Sequence, residues 1–103
     1  MIIAIAVNEN HVKALVDPHF GRCNWFCLYD TETMKWTFVE NPVRNHQKQV
    51  GSEAALFLVG KNTEMAIAGR FGSKVIEVFR ENNIQMVIPE LQPSLKEIFN
   101  LIK

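Results

Sequence analysis

The segment Met1-Ile2-Ile3-Ala4-Ile5-Ala6-Val7 is an unbroken apolar run, and no other feature restricts the fold of this chain as much. A strand with one wet face alternates apolar and polar residues. One without alternation needs cover on both faces. The chain must therefore place helices above and below a sheet in which this segment is central. The run is far shorter than the roughly 20 apolar residues of a membrane span. It has no basic flank or small-residue cleavage site of an export signal, so the expectation is no membrane association and a cytoplasmic location.

The remaining pattern supplies that cover. Trp25 to Tyr29 and Trp36 to Glu40 read as strands of an antiparallel hairpin closed by Asp30 to Met34. Gln49 to Val59 carries Val50, Ala54, Phe57 and Leu58 at helical spacing, with Gly60 as the stop. Met65 to Ala68 is a short buried strand, and Ser73 to Glu81 is an amphipathic helix with Val75, Val78 and Phe79 inward. Met86 to Ile88 is a last strand. Ser94 and Glu97 have capping-box spacing ahead of a helix with Leu95, Ile98, Phe99 and Ile102 inward. A chain of 103 residues is one domain, spanning 1–103. The order β-β-β-α-β-α-β-α predicts a three-layer α/β fold of the ribonuclease-H-like kind. Its mixed five-stranded sheet has the order 3-2-1-4-5, strand 2 antiparallel, with helices on both faces.

In that topology the loops at 8–24, 41–48, 69–73 and 89–93 open on one sheet edge, the usual ligand crevice of open α/β sheets. His11, His19 and His46 lie in these loops, as do Arg22, Arg44 and Arg70, with Lys48 and Lys74 at the adjacent helix starts. Two of the loops share a composition. His19-Phe20-Gly21-Arg22 precedes one strand and Gly69-Arg70-Phe71-Gly72 follows another, each setting an arginine and an aromatic ring beside a glycine. The helix from Ser73 aims its free N–H groups at the same place. A small cationic, partly apolar mouth is expected, suited to an anion. The formal net charge is zero, so attraction is local and no nucleic acid is expected as a partner.

Cys23 and Cys27 fall on one strand, about 13 Å apart at strand rise, beyond the reach of a disulfide. Two thiols do not make the four-thiolate set of an iron–sulfur cluster. Cys27 reads as core. Cys23, beside Arg22, is a candidate for a thiolate stabilised by positive neighbours.

These residues also carry a resemblance. The chain resembles the dinitrogenase iron–molybdenum cofactor biosynthesis family through Ile3 to Val7, His19-Phe20-Gly21-Arg22, Tyr29 to Thr33, Glu40-Asn41-Pro42, and Ala66 to Gly72 followed by Lys74 and Val75. The segment after Pro42, glycine- and histidine-rich in many members, keeps only His46 here. The resemblance implies the ribonuclease-H-like fold and a cluster-binding face at the edge described, with His19, Arg22 and Arg70 on the motif positions.

The resulting expectation is a non-catalytic carrier domain for an anionic metal–sulfur cluster of iron–sulfur or iron–molybdenum type, bound transiently. Its site would comprise His19 to Cys23 and Gly69 to Ser73, with His19, His46 and Cys23 as candidate metal ligands. Its partners would be metal-cluster assembly or acceptor proteins, and the chain would be a monomer or weak dimer. The alternative is a regulatory or interaction domain binding a simple oxyanion or a protein. A hydrolase of ribonuclease H type is disfavoured, because residues 1–7 and 65–68 hold no carboxylate for two metal ions.

Overall fold

A computed structural model of the chain describes residues 1–102. Five strands form one sheet: β1 (Ile2–Val7), β2 (Trp25–Asp30), β3 (Lys35–Glu40), β4 (Thr63–Ile67) and β5 (Gln85–Val87). Their order is β3-β2-β1-β4-β5, as the sequence pattern predicts. β1 pairs antiparallel with β2, from Ile2↔Asp30 to Val7↔Trp25, and parallel with β4, where Ala4 faces Ala66. β2 and β3 form the hairpin, and β4 runs parallel to β5. Only β2 runs against the rest.

Helices α1 (Val50–Val59), α2 (Ser73–Glu81) and α3 (Leu95–Ile102) cover the two faces. Because neighbouring residues of β1 point to opposite faces, its run feeds two cores. Ala4 and Ala6 pack with Phe26, Leu58 and Phe79 beneath α1 and α2. Ile3, Ile5 and Val7 pack with Cys27, Tyr29 and Phe99 beneath α3. The small alanines lie on the side with two helices and the larger side chains on the side with one.

Helix boundaries follow local chemistry. The Ser94 hydroxyl accepts from the Glu97 N–H (3.2 Å) while the Glu97 carboxylate accepts from the Ser94 N–H (3.3 Å), completing the capping box that opens α3. The end of α1 departs from expectation. Gly60 keeps a right-handed backbone (φ −65°), and the left-handed residue is Asn62 (φ 61°), two positions later. Asn tolerates this conformation through its short polar side chain, so the chain reverses there without needing glycine.

Candidate functional site

The loops at 18–24, 41–48 and 69–73 do open on one edge, and a buried amide holds the first two together. Asn41, fully buried, donates to the carbonyls of Gly21 (2.9 Å) and Cys23 (3.0 Å), and its oxygen accepts from the Val43 N–H (3.2 Å). Asp17, also buried, accepts the His19 N–H at 2.7 Å and so turns the chain after Pro18. The Phe20 N–H reaches the Arg70 carbonyl at 3.4 Å, joining the two aromatic-arginine loops directly.

Between these loops and the starts of α1 and α2 lies a groove with two adjoining lobes of about 490 and 200 Å³. His19, Gly21, Gly51, Gly72 and Val75 line both. Arg22, Ser52, Ser73 and Lys74 add to the larger lobe, and Arg70 to the smaller. No aspartate or glutamate lines either lobe. Neither helix start has a side-chain cap: Gln49 precedes α1 with a left-handed backbone (φ 57°), and Gly72 precedes α2 in extended conformation. Helix geometry leaves the leading N–H groups without intrahelical acceptors, so two positive dipole ends meet at one groove.

Of the residues singled out in the sequence, His19, Gly21, Arg22, Arg70, Gly72 and Ser73 line the groove. His19, Arg22 and Arg70 are exposed. Arg22 is held by the carbonyls of His46 (3.2 Å) and Arg44 (3.5 Å), which leaves other guanidinium donors unengaged. Phe20 touches the smaller lobe but is only 3% exposed, its ring packed on Phe26, Phe71 and Phe79. Phe71 is half-buried in that aromatic group. Phe20 is the floor of the smaller lobe, and the other rings back it from within the core.

Three of the expected residues, Cys23, His46 and Gly69, lie apart from the groove lining. Cys23 is fully buried, and its thiol is pushed far above the ordinary range, first by burial and then by the nearby Asp17 carboxylate. Arg22 is not among the groups that shift it, and burial favours the neutral thiol over the expected thiolate. His46 lies outside the groove lining and pairs through Nδ1 with Glu53 at 2.7 Å. Gly69 does not line the two lobes. A Cβ there would come within 2.6 Å of the Pro18 Cα, so this glycine admits neighbouring backbone, and it lines instead a separate cleft beside Pro89 to Gln92. Among the described residues, no group of three or more His, Cys, Asp or Glu is placed to hold a metal ion.

Sequence reasoning missed the wall supplied by Gln49 and the first turn of α1, Val50, Gly51 and Ser52. The available signal was Gly51, a costly residue inside a helix. A Cβ on Gly21 would lie 2.9 Å from the Gly51 Cα, and one on Gly51 would lie 2.8 Å from Val75 Cγ2. The two glycines thus draw the His19–Arg22 loop, α1 and α2 against one another.

The fold recurs in known proteins. The apo form of the orange protein from Desulfovibrio gigas superposes with a TM-score of 0.89 at 23% identity, covering 96% of this chain and 83% of that one. A putative NifB protein from Thermotoga, assigned to the DUF35 family, superposes with a TM-score of 0.81 at 24% identity, covering 96% of this chain and 84% of that one. An uncharacterized protein of Methanocaldococcus jannaschii is 28% identical over 89 residues, 84% of this chain and 72% of that protein. The pattern of the dinitrogenase iron-molybdenum cofactor family matches residues 1–103, and the chain belongs to that family.

Proposed function

We propose that this protein is a non-catalytic carrier that holds an anionic metal–sulfur cluster, or its precursor, in the groove between α1 and α2. The observation that carries the reading is the convergence of two uncapped helix starts with Arg22, Arg70 and Lys74 on one open groove without a carboxylate. Family membership supplies the cofactor-assembly context. The cargo is held by charge and backbone donors rather than by a protein ligand set, which suits reversible uptake and transfer to a cytoplasmic assembly or acceptor protein. His19 is the one side chain lining both lobes that can also coordinate a metal at an open position. Phe20, backed by Phe71, would shield one side of the cargo from water.

The test is reconstitution with iron, sulfide and molybdate under anaerobic conditions, followed by gel filtration, metal analysis and an absorption spectrum. The expected result is stoichiometric co-elution of metal and sulfide with the protein. Arg22→Ala with Arg70→Ala should reduce retention at least about tenfold, the scale of losing charged hydrogen bonds. Unchanged retention in the double variant would place the site elsewhere. Uptake of molybdate alone, with no sulfide requirement, would favour the oxyanion-binding alternative.

A further inference from the structure

The opposite face of the sheet carries a second cleft, of about 350 Å³, beside α3 at the hairpin end of β2 and β3. We propose that it is a separate binding site for a small planar aromatic molecule bearing an acidic group, such as an aryl carboxylate. Three independent features of this chain converge there.

The first is an aromatic wall left partly uncovered. Tyr29 and Trp36 are register partners across β2 and β3, and both lie on Phe99, with ring centroids 5.0 and 4.8 Å away. Tyr29 and Phe99 are buried, yet Trp36 is 44% exposed at the top of the group. A flat ring laid there would continue the stacking and remove that surface from water. A volume of this size takes one or two fused rings with a substituent.

The second is charge. Lys13 and Lys96 both line the cleft, and no acidic residue does. The Lys96 N–H donates to the Val12 carbonyl at 3.0 Å, which fixes the loop bearing Lys13 against the first turn of α3. Neither ammonium group has a carboxylate within ion-pair distance among the described residues. An acidic substituent on the ring would meet both lysines while the ring meets Trp36. A neutral aromatic would meet only half of the site.

The third is backbone strain. Met34 closes the hairpin in left-handed conformation (φ 61°) with its side chain 52% exposed and lining the cleft. Glycine or asparagine is the usual residue at such a position, and an L side chain without local hydrogen bonding is disfavoured there. The adaptable Met34 thioether lines the cleft, where it can settle on a flat ligand. Strain of this kind concentrates at binding sites.

The experiment is calorimetric titration and amide and indole chemical-shift mapping with 2-naphthoate, using 2-naphthylmethanol as the uncharged counterpart. The expected result is saturable naphthoate binding, with the largest shifts at Trp36, Met34, Lys13 and Lys96. The alcohol should bind at least about tenfold more weakly. Lys13→Glu with Lys96→Glu should abolish the preference for the acid, and Met34→Gly should raise the melting temperature while weakening binding. Arg22→Ala with Arg70→Ala should leave naphthoate binding unchanged, because the groove on the other face is not involved. Absence of saturable binding, equal affinity for acid and alcohol, or loss of binding in the arginine variant would each overturn the proposal. So would a concentration-dependent dimer abolished by Trp36→Lys, which would show that a second copy covers the face.

Discussion

Asn41 shapes the groove without lining it. Its amide satisfies the buried Cys23 carbonyl and Val43 N–H and the part-buried Gly21 carbonyl. Asn41→Ala should therefore cost about 2–4 kcal/mol, read as a lower urea midpoint with an unchanged slope. The loops at 18–24 and 41–48 should exchange amide protons faster. Thr63 is the converse case: its hydroxyl is buried with no hydrogen-bond partner among the described residues. Thr63→Val keeps the shape and removes an unsatisfied group, so it should be neutral or stabilise by about 1 kcal/mol in the same measurement. The cysteines set a pH limit. Burial pushes the Cys27 thiol up to about 12 from an ordinary 9.0 and raises Cys23 further. Above pH 9 the unfolded chain loses these protons while the folded chain keeps them. Stability from the two thiols is thus fully present below about pH 9 and falls as pH rises toward about 12. Urea midpoints measured between pH 8 and pH 11 should decline accordingly, and the Cys23→Ala, Cys27→Ala double variant should lose this alkaline limb.

At the level of elements, the glycines separate packing from ligand space. Gly21→Ala would drive a Cβ to 2.9 Å from the Gly51 backbone, and since backbone cannot step aside, the His19–Arg22 loop must lift off α1. A cost of about 1–3 kcal/mol is expected, with widening of the groove. Gly72→Ala meets nothing within 4 Å and has an ordinary negative φ, so its melting temperature should change little. Any loss of cargo in that variant would report on the α2 start as a binding surface. This contrast explains what the sequence could and could not disclose. The unbroken β1 run, the hairpin and the spacing of Ser94 and Glu97 each encode a local rule, so the sheet order and α3 were legible from the residues. The α1 wall was not, because Gly51 owes its place to contacts with Gly21 and Val75, which are distant in sequence. Cys23 misled for the same reason: adjacency to Arg22 along the chain says nothing about the Asp17 carboxylate and the apolar packing around the thiol in the fold.

For the molecule as a whole, the sheet divides two different environments. One face ends in a cationic groove lined by backbone donors, and the other carries an aromatic cleft flanked by lysines. The formal net charge is zero, so no long-range field draws an anion in from solution. The attraction begins only within about a Debye length of the groove, roughly 10 Å at 0.1 M salt. This separates the kinetic effects of salt from those expected of a strongly basic carrier. Long-range steering is what makes association rates fall steeply with ionic strength, and here that contribution is small. On the proposed function, retention would depend on contacts made at close quarters by Arg22, Arg70, Lys74 and the two helix starts. Raising salt from about 0.05 to 0.5 M should therefore change the association rate of an anionic cluster by less than about threefold, while dissociation speeds up by about tenfold. Stopped-flow absorption of cluster uptake, paired with chase by excess apo protein, measures both rates. In the Arg22→Ala, Arg70→Ala variant the dissociation rate should already be high at low salt and respond weakly to further salt. A steep salt dependence confined to association would show instead that capture is governed by a field beyond the groove.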